Sequence, residues 1–108
     1  MSEKTIKKEI LNLGSLLDYQ QASVVSRVLI NKDIGTVTLF SFDIGEGLSE
    51  HTTPFDALVY IFEGQAEIAI SKEKFLLNNG QMIIIPANEP HALKAIKKFK
   101  MMLIMIKA

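Results

Sequence analysis

Residues 57–86 read ALVYIFEGQAEIAISKEKFLLNNGQMIIIP, and this stretch decides the fold class. Short runs rich in β-branched and aromatic residues are separated by turn-forming residues, notably Gly64 and Asn78-Asn79-Gly80. In residues 65–71 apolar residues alternate with polar or small ones, which is typical of a strand with one buried face. The stretch therefore predicts four strands, at 57–64, 65–71, 74–77 and 81–86.

The same pattern continues on both sides of this stretch. Two strands are predicted before it, at 23–30 and 36–43, and two after it, at 91–96 and 99–106. Gly45 and Gly47 predict a loop between the second and third strands. Eight short strands at near-regular spacing indicate an all-β barrel or sandwich, with fewer than ~15% of residues in helix against the usual ~30–35%.

The length of 108 residues leaves room for one domain. Residues 1–23 are the least strand-like part, and we expect them to form an N-terminal extension with a short helical turn around Ser15–Asp18. Residues 24–108 are then expected to form a single barrel domain.

Composition excludes several classes of function. Twelve basic residues balance twelve acidic ones, which argues against a nucleic-acid partner. The chain has no cysteine, so a thiolate metal site or a cysteine nucleophile is impossible. No signal peptide is recognisable, and no apolar run approaches the ~18 residues needed to cross a membrane. We therefore expect a soluble, cytoplasmic protein with no membrane partner.

Two segments carry spaced glycine, proline and histidine residues: GEGLSEHTTPFDALVYIFEG (45–64) and GQMIIIPANEPHALKA (80–95). The residues in question are Gly45, His51 and Gly64 in the first segment and Gly80, Pro86 and His91 in the second. In this order and spacing they resemble the two motifs of the cupin superfamily, and the resemblance covers roughly residues 36–106. It implies a small single-domain cupin: an all-β, antiparallel double-stranded β-helix (jelly-roll-like) barrel with a short N-terminal extension.

The sequence departs from these motifs at the positions that matter for a metal. The family's usual site combines three histidines with a glutamate, but Thr53 stands at the second histidine position and Ala57 at the glutamate position. In the second motif Asn88 replaces a glycine and Ala95 replaces an asparagine. The resemblance therefore implies a degenerate metal-binding motif.

Of the four ligand positions only His51 and His91 keep a ligand, so they are the candidate metal residues. Side chains two apart on a strand share a face, so positions 51, 53 and 57 can point into the barrel, where His91 would meet them. Two imidazoles could hold Zn, Ni, Cu, Fe or Mn weakly, or could hydrogen-bond each other or water and hold no metal. A bulge at Pro54 would instead bring Asp56 into the site and give two histidines and a carboxylate.

Thr53 and Ala57 leave a roomier and less polar barrel mouth, so we assign them to a ligand pocket. The sequence thus predicts a stand-alone barrel of unassigned role that binds a small molecule near His51 and His91, with weak or no metal. The alternative is a metal-dependent cupin enzyme, dioxygenase-, isomerase- or decarboxylase-like, that uses the same two histidines. Fold alone does not choose between these readings, and whether the chain is an enzyme stays open at this point.

Two strands are apolar on both faces, MIII (82–85) and MMLIMI (101–106). A strand with one face in solvent should alternate apolar and polar residues, and these two strands do not. Their outward residues, together with outward Tyr60 and Phe62, therefore predict an exposed apolar patch. A homodimer that buries this patch is expected. The alternative is that the N-terminal segment, with its leucines at 11, 13, 16 and 17, folds back over the patch.

Overall fold

The computed structural model describes residues 6–108 and contains two antiparallel sheets that face each other across one core. The five-stranded sheet has the order β1-β2-β9-β4-β7, and the four-stranded sheet has the order β3-β8-β5-β6. The strands are β1 (Val24–Lys32), β2 (Gly35–Phe42), β3 (Gly47–His51), β4 (Phe55–Glu63), β5 (Gln65–Ile70), β6 (Glu73–Asn78), β7 (Met82–Ile85), β8 (His91–Ala95) and β9 (Phe99–Lys107).

The prediction of an all-β barrel of antiparallel strands is confirmed. Within residues 6–108 the one helical element is a 3₁₀ turn at Leu13–Ser15, slightly before the turn predicted around Ser15–Asp18. No helix in this part of the chain is long and apolar enough to cross a membrane.

The expected loop between the second and third predicted strands was wrong, because it contains a ninth strand, β3. Gly47 begins this strand and pairs with Lys94 of β8. A Cβ atom at Gly47 would lie 2.1 Å from the carbonyl oxygen of Leu93. Glycine is needed there because the backbones approach closely, and not because the chain turns.

The core is built from alternate residues of the strands. In β4, Ala57, Val59 and Ile61 are buried, whereas Leu58 and Tyr60 are half-buried on the opposite side. This is the parity expected from the sequence. The facing sheet contributes apolar residues in the same way, and the core cluster includes Ala66, Ile68, Ile70, Leu77, Leu93 and Ala95.

The N-terminal segment packs on the five-stranded sheet through backbone carbonyls. The Ser41 hydroxyl donates to the Asp18 carbonyl at 2.8 Å, and the Arg27 guanidinium donates to the Leu16 carbonyl at 2.9 Å. Leu17 is buried. These contacts fix the segment to one end of the sheet.

A polar cluster at this end ties the segment to β4 and β9. The Tyr19 hydroxyl donates to the Glu63 carboxylate at 2.5 Å, and the buried Lys100 ammonium donates to the Gly14 carbonyl at 2.7 Å. The Lys100 Nζ atom also lies 4.0 Å from Glu63 and 5.0 Å from the centre of the Tyr19 ring. Burial, with the hydrogen bond to Glu63 and its charge, raises the pKa of Tyr19 well above its ordinary value.

Candidate functional site

The two histidines lie side by side at the other end of the barrel. His51 is the last residue of β3, His91 is the first residue of β8, and the two are direct partners across the strand pair. Their ring centroids are 4.3 Å apart with the planes at 61°. The predicted approach of the two rings is therefore confirmed.

A β-bulge aims His51 at its partner. Leu48 pairs with Leu93 on the core face, and the register shifts between Leu48 and His51 so that His51 stands opposite His91. Without that extra residue the alternation of β3 would place position 50 on the core face. The bulge therefore decides which side chain of β3 enters the site.

Backbone carbonyls fix the protonation pattern of both rings. The Nδ1 atom of His51 is 2.7 Å from the Ser49 carbonyl oxygen, and Nδ1 of His91 is 2.9 Å from the Glu89 carbonyl oxygen. A carbonyl oxygen only accepts, so each Nδ1 carries the hydrogen of the bond. In the neutral rings both Nε2 atoms therefore keep a lone pair.

The two rings differ in their access to solvent. His91 is only 6% exposed, and its other strand neighbour is Ile70 of the apolar core. His51 is exposed. The pair thus spans the boundary between the core and the solvent: the His91 ring is buried, and the His51 ring is accessible to a molecule that enters from outside.

Asp56 does not belong to this pair. Its carboxylate accepts a hydrogen bond from the Ala87 backbone at 2.9 Å, and the residue is exposed on the opposite side of β4 from Ala57. Strand β4 pairs with β9 without a shift from Phe55 to Ile61. The alternative in which a bulge at Pro54 brings Asp56 to the histidines is therefore wrong.

The donor set of the pair does not fit a complete metal site. In residues 6–108 no group of three or more His, Asp or Glu side chains is placed to hold a metal ion. Catalytic zinc sites keep three protein ligands and structural ones four. Two Nε2 atoms leave the rest of a coordination shell to water or ligand, so the pair lacks at least one of the protein ligands that such sites have.

Thr53 and Ala57, the predicted pocket residues, lie near the start of β4. The half-buried Thr53 exchanges hydrogen bonds with the backbone of Phe55 through its hydroxyl, at 3.3 and 3.4 Å. Ala57 is 2% exposed and belongs to the core cluster. The Thr53 hydroxyl is thus hydrogen-bonded to its own loop and the Ala57 methyl group is packed in the core. The assignment of both residues to a ligand pocket stays a prediction.

Asn88 shows why one departure from the family motif is tolerated. It has a φ of 69°, in the left-handed region, and its N–H donates to the Thr53 carbonyl at 2.7 Å. Asparagine adopts this conformation more readily than other non-glycine residues. The substitution therefore preserves the turn that leads from β7 to His91.

Sequence reasoning missed the two carbonyls that orient the rings. Both belong to the residue two positions before the histidine, Ser49 and Glu89. No side-chain pattern could have indicated them, because every residue carries a backbone carbonyl and only the local path of the chain decides where it points.

A barrel of two antiparallel sheets with a histidine pair at one end defines the class of this protein. The family model described as the cupin domain matches residues 38–107, and the chain belongs to the cupin family. A comparison with curated proteins found no match.

Solved structures agree with this assignment. A conserved protein of unknown function from Streptococcus pyogenes is 36% identical, with a TM-score of 0.92 over 100% of this chain and 96% of its own. A cupin superfamily protein from Desulfitobacterium hafniense is 30% identical, with a TM-score of 0.90 over 100% of both chains. A salicylate 1,2-dioxygenase mutant from Pseudoaminobacter salicylatoxidans is 16% identical, with a TM-score of 0.72 over 77% of this chain and 26% of its own, which shows the fold alone.

Proposed function

We propose that this cupin binds a small molecule at the barrel mouth, with His51 and His91 as the polar anchors and with weak or no metal. The observation that carries the proposal is the pair of Nδ1–H bonds to backbone carbonyls, which leaves two Nε2 lone pairs on rings 4.3 Å apart. A cytoplasmic location, expected from the sequence, belongs to the same proposal.

The protonation pattern selects the chemistry of the ligand. Two unprotonated Nε2 acceptors attract a hydrogen-bond donor, such as a hydroxyl or an ammonium group, and repel a carboxylate. Ile70 beside His91 and Leu48 beside the bulge belong to or pack against the apolar core. An apolar molecule that carries a hydroxyl or ammonium group therefore suits the site best.

Two matched probes test this selectivity, benzyl alcohol and benzoate. They share an aromatic ring and differ in whether the polar group donates or only accepts. Nitrogen-15 NMR of the imidazoles should show Nδ1–H tautomers, and at about pH 8, above the pKa of ~6.5 of free imidazole, benzyl alcohol should shift the Nε2 signals whereas benzoate should not. Preferential binding of benzoate at that pH would contradict the proposal.

A variant series locates the binding. His51→Ala and His91→Ala should each weaken the shift of the remaining imidazole signal by benzyl alcohol, because the single hydroxyl hydrogen then has one Nε2 acceptor in place of two alternatives. Glu50→Ala is the matched control, since Glu50 is the exposed neighbour in β3 on the other side of the bulge. Equal loss in the control would show that binding lies elsewhere on the barrel.

The metal-dependent enzyme is the second candidate, because two neighbouring imidazoles with free Nε2 lone pairs can also serve as metal ligands. Elemental analysis of protein purified without a histidine tag separates the two readings, with the double variant His51→Ala/His91→Ala as the control. Our proposal predicts well under one metal ion per chain. Stoichiometric metal that disappears in the double variant would favour the enzyme.

A further inference from the structure

The β7–β8 loop, residues 86–90, carries the carbonyl that orients His91. Its sequence is PANEP, so a proline stands at each end of the loop. Proline restricts the backbone and has no N–H to donate. The Glu89 carbonyl oxygen accepts the hydrogen bond from Nδ1 of His91 at 2.9 Å. The position of this loop therefore decides which nitrogen of the His91 ring keeps a lone pair.

Two main-chain hydrogen bonds shape the loop and join it to the β3–β4 connection. The Glu89 N–H donates to the Pro86 carbonyl at 3.4 Å, which closes a turn. The Asn88 N–H donates to the Thr53 carbonyl at 2.7 Å. Both bonds join backbone atoms only, so they hold the middle of the loop without help from a side chain.

Asp56 supplies a side-chain attachment at the start of the loop. The pairing of β4 with β7 ends at Ala57 and Ile85, and Pro86 has no N–H with which to continue the ladder. The Asp56 carboxylate accepts a hydrogen bond from the next available donor, the Ala87 N–H, at 2.9 Å. Hydrogen bonds to a carboxylate are stronger than those between neutral groups. Asp56 thus fastens the start of the loop to β4.

Ser71 attaches the other end of the loop to the β5–β6 turn. Its N–H donates to the Pro90 carbonyl at 2.8 Å, and its hydroxyl donates to the Glu89 carboxylate at 3.0 Å. Ser71 also directly follows Ile70, which is the strand partner of His91. Ser71 is therefore hydrogen-bonded to both residues that precede the His91 ring in the chain.

The backbone conformation of Ser71 indicates that its side chain is used. Ser71 and Lys72 form the two-residue β5–β6 turn, with φ values of 47° and 73°. Such turns favour glycine and asparagine, because the Cβ atom of other residues crowds the backbone in the left-handed region. Strain of this kind persists where surrounding contacts compensate for it, often at functional sites. Ser71 has such contacts, whereas the exposed side chain of Lys72 has no hydrogen bond in the described part of the chain.

The orientation of His51 does not depend on this loop. Nδ1 of His51 bonds to the Ser49 carbonyl, and both residues belong to β3. From residue 6 onward, neither Asp56 nor Ser71 is hydrogen-bonded to β3. The two rings are therefore oriented by separate segments, and His51 serves as an internal reference for a change at His91.

We propose that Ser71 and Asp56 are positioning residues for His91. They hold the β7–β8 loop from two sides, so that the Glu89 carbonyl keeps the ring in its Nδ1–H form. The consequence for ligand selectivity rests on the proposed function. While the loop is held, Nε2 of His91 accepts a hydrogen bond; once the loop is released, the ring can carry its hydrogen on Nε2 and donate instead. Release should therefore shift the site from ligands with a hydroxyl group toward carboxylates.

Nitrogen-15 NMR of the ligand-free protein at about pH 8 tests the positioning role. Ser71→Gly removes the hydroxyl, and Asp56→Ala removes the carboxylate. Each should raise the ratio of the Nε2–H to the Nδ1–H tautomer of His91 about three- to fivefold, the change expected when one hydrogen bond of ordinary strength is lost. The ratio of His51 should stay unchanged. Ser71→Gly should leave the melting temperature nearly unchanged, because glycine relieves the left-handed conformation.

Matched variants separate the hydrogen bonds from the strain of the turn. Lys72→Gly relieves the same left-handed conformation without removing a contact to the loop, so it should leave both tautomer ratios unchanged. Asp56→Asn keeps an acceptor for the Ala87 N–H and should keep the tautomer ratio of His91 close to that of the wild type. Circular dichroism checks the fold of each variant. An unchanged His91 ratio in both Ser71→Gly and Asp56→Ala, or an equal change at His51 or in Lys72→Gly, would overturn the positioning role.

Benzyl alcohol and benzoate then test the consequence for the ligand. In the double variant Ser71→Gly/Asp56→Ala, benzoate should gain affinity relative to benzyl alcohol. A shifted tautomer ratio with unchanged selectivity would overturn the link to the ligand. A shifted ratio in a protein that binds neither probe would support the positioning role and contradict the proposed function, so the two failures are distinguishable.

Discussion

The polar side chains at the two ends of the barrel differ in how fully their hydrogen-bonding atoms are used. At the N-terminal end, Glu63 accepts a hydrogen bond from Tyr19 and forms an ion pair with Lys100. Lys100 also donates to the Gly14 carbonyl. At the mouth, His51 and His91 bond only to nearby backbone carbonyls through Nδ1. The contacts at the N-terminal end connect the N-terminal segment to β4 and β9, whereas the Nε2 atoms at the mouth remain available to hydrogen-bond a ligand. Changes at the first end should therefore alter stability, and changes at the second should alter binding.

Gly64→Ala should give the largest effect. Gly64 lies between β4 and β5, at the N-terminal end of the barrel. Gly64 has a φ of 89°, and a Cβ atom there would lie 1.8 Å from the Lys98 carbonyl oxygen, so the β4–β5 turn must move. We expect a loss of about 2–4 kcal/mol in the free energy of unfolding, measured by chemical denaturation.

Gly80→Ala is the matched control for this change. Gly80 has a nearly identical φ of 88°, but no atom lies within 4 Å of its added Cβ. Only the backbone strain remains, and the expected loss is about 1–2 kcal/mol. Equal losses in the two variants would show that the close approach to Lys98 contributes nothing.

Lys100→Met should lower the free energy of unfolding by about 1–2 kcal/mol and leave the His51–His91 pair unchanged. Most of this loss comes from the hydrogen bond to Gly14, because Glu63 is half-exposed and its ion pair contributes little. Lys98→Met is the control, since Lys98 is exposed and only lies 5.2 Å above the Tyr19 ring. A change in the imidazole NMR signals of Lys100→Met would contradict the separation of the two ends.

His51→Ala should show the reverse behaviour. His51 is exposed, so we expect a change in stability within about 0.5 kcal/mol. Binding of benzyl alcohol should nevertheless be weakened, as detected by the remaining His91 signal. A large drop in thermal stability without loss of binding would make the histidine a structural residue.

The smallest effect concerns acid stability and Asp43. Hydrogen bonds from the Ala22 and Ile44 backbones lower the pKa of Asp43 below its ordinary value. A lowered pKa in the folded state gives stability that is present above the unfolded pKa of ~3.9 and is lost as the pH falls through the folded value. Asp43→Asn should therefore flatten the decline of the melting temperature in this range.

Asp33→Asn, in the turn between β1 and β2, removes the same charge and serves as the control for Asp43. Identical pH profiles of the two variants would show that the hydrogen bonds of Asp43 do not contribute to acid stability.

Much of the fold could be predicted because alternation is a local property of the chain. In β5 each buried position is separated from the next by one outward residue, and the alternation of apolar with polar or small residues shows this directly. In β4 residues of both parities are apolar, and the place of Ala57 in the family motif indicated which of them face the core. Strand β3 could not be predicted, because GLSEH has no apolar alternation. It is a strand because β8 offers its edge and Gly47 lets the backbones meet.

The candidate site was likewise predictable only in part. The spacing of the motifs identified His51 and His91 as a set, and the structure places them 4.3 Å apart. The apolar runs at residues 82–85 and 101–106 indicated that the five-stranded sheet has apolar residues on its outer face. Which residues lie side by side on that face could not be predicted, because they come from five strands that are distant in the chain.

The sequence by itself determined the fold class, the core parity of β4, and the two histidines that remain of the family's ligand set. Only the tertiary structure decided what those histidines can do. The bulge in β3, the carbonyls of Ser49 and Glu89, and the direction of Asp56 together leave two lone pairs and no carboxylate. The physical reason is that side-chain alternation is set within a strand, whereas the direction of a backbone carbonyl and the register between strands are set by the partners that the chain meets when it folds.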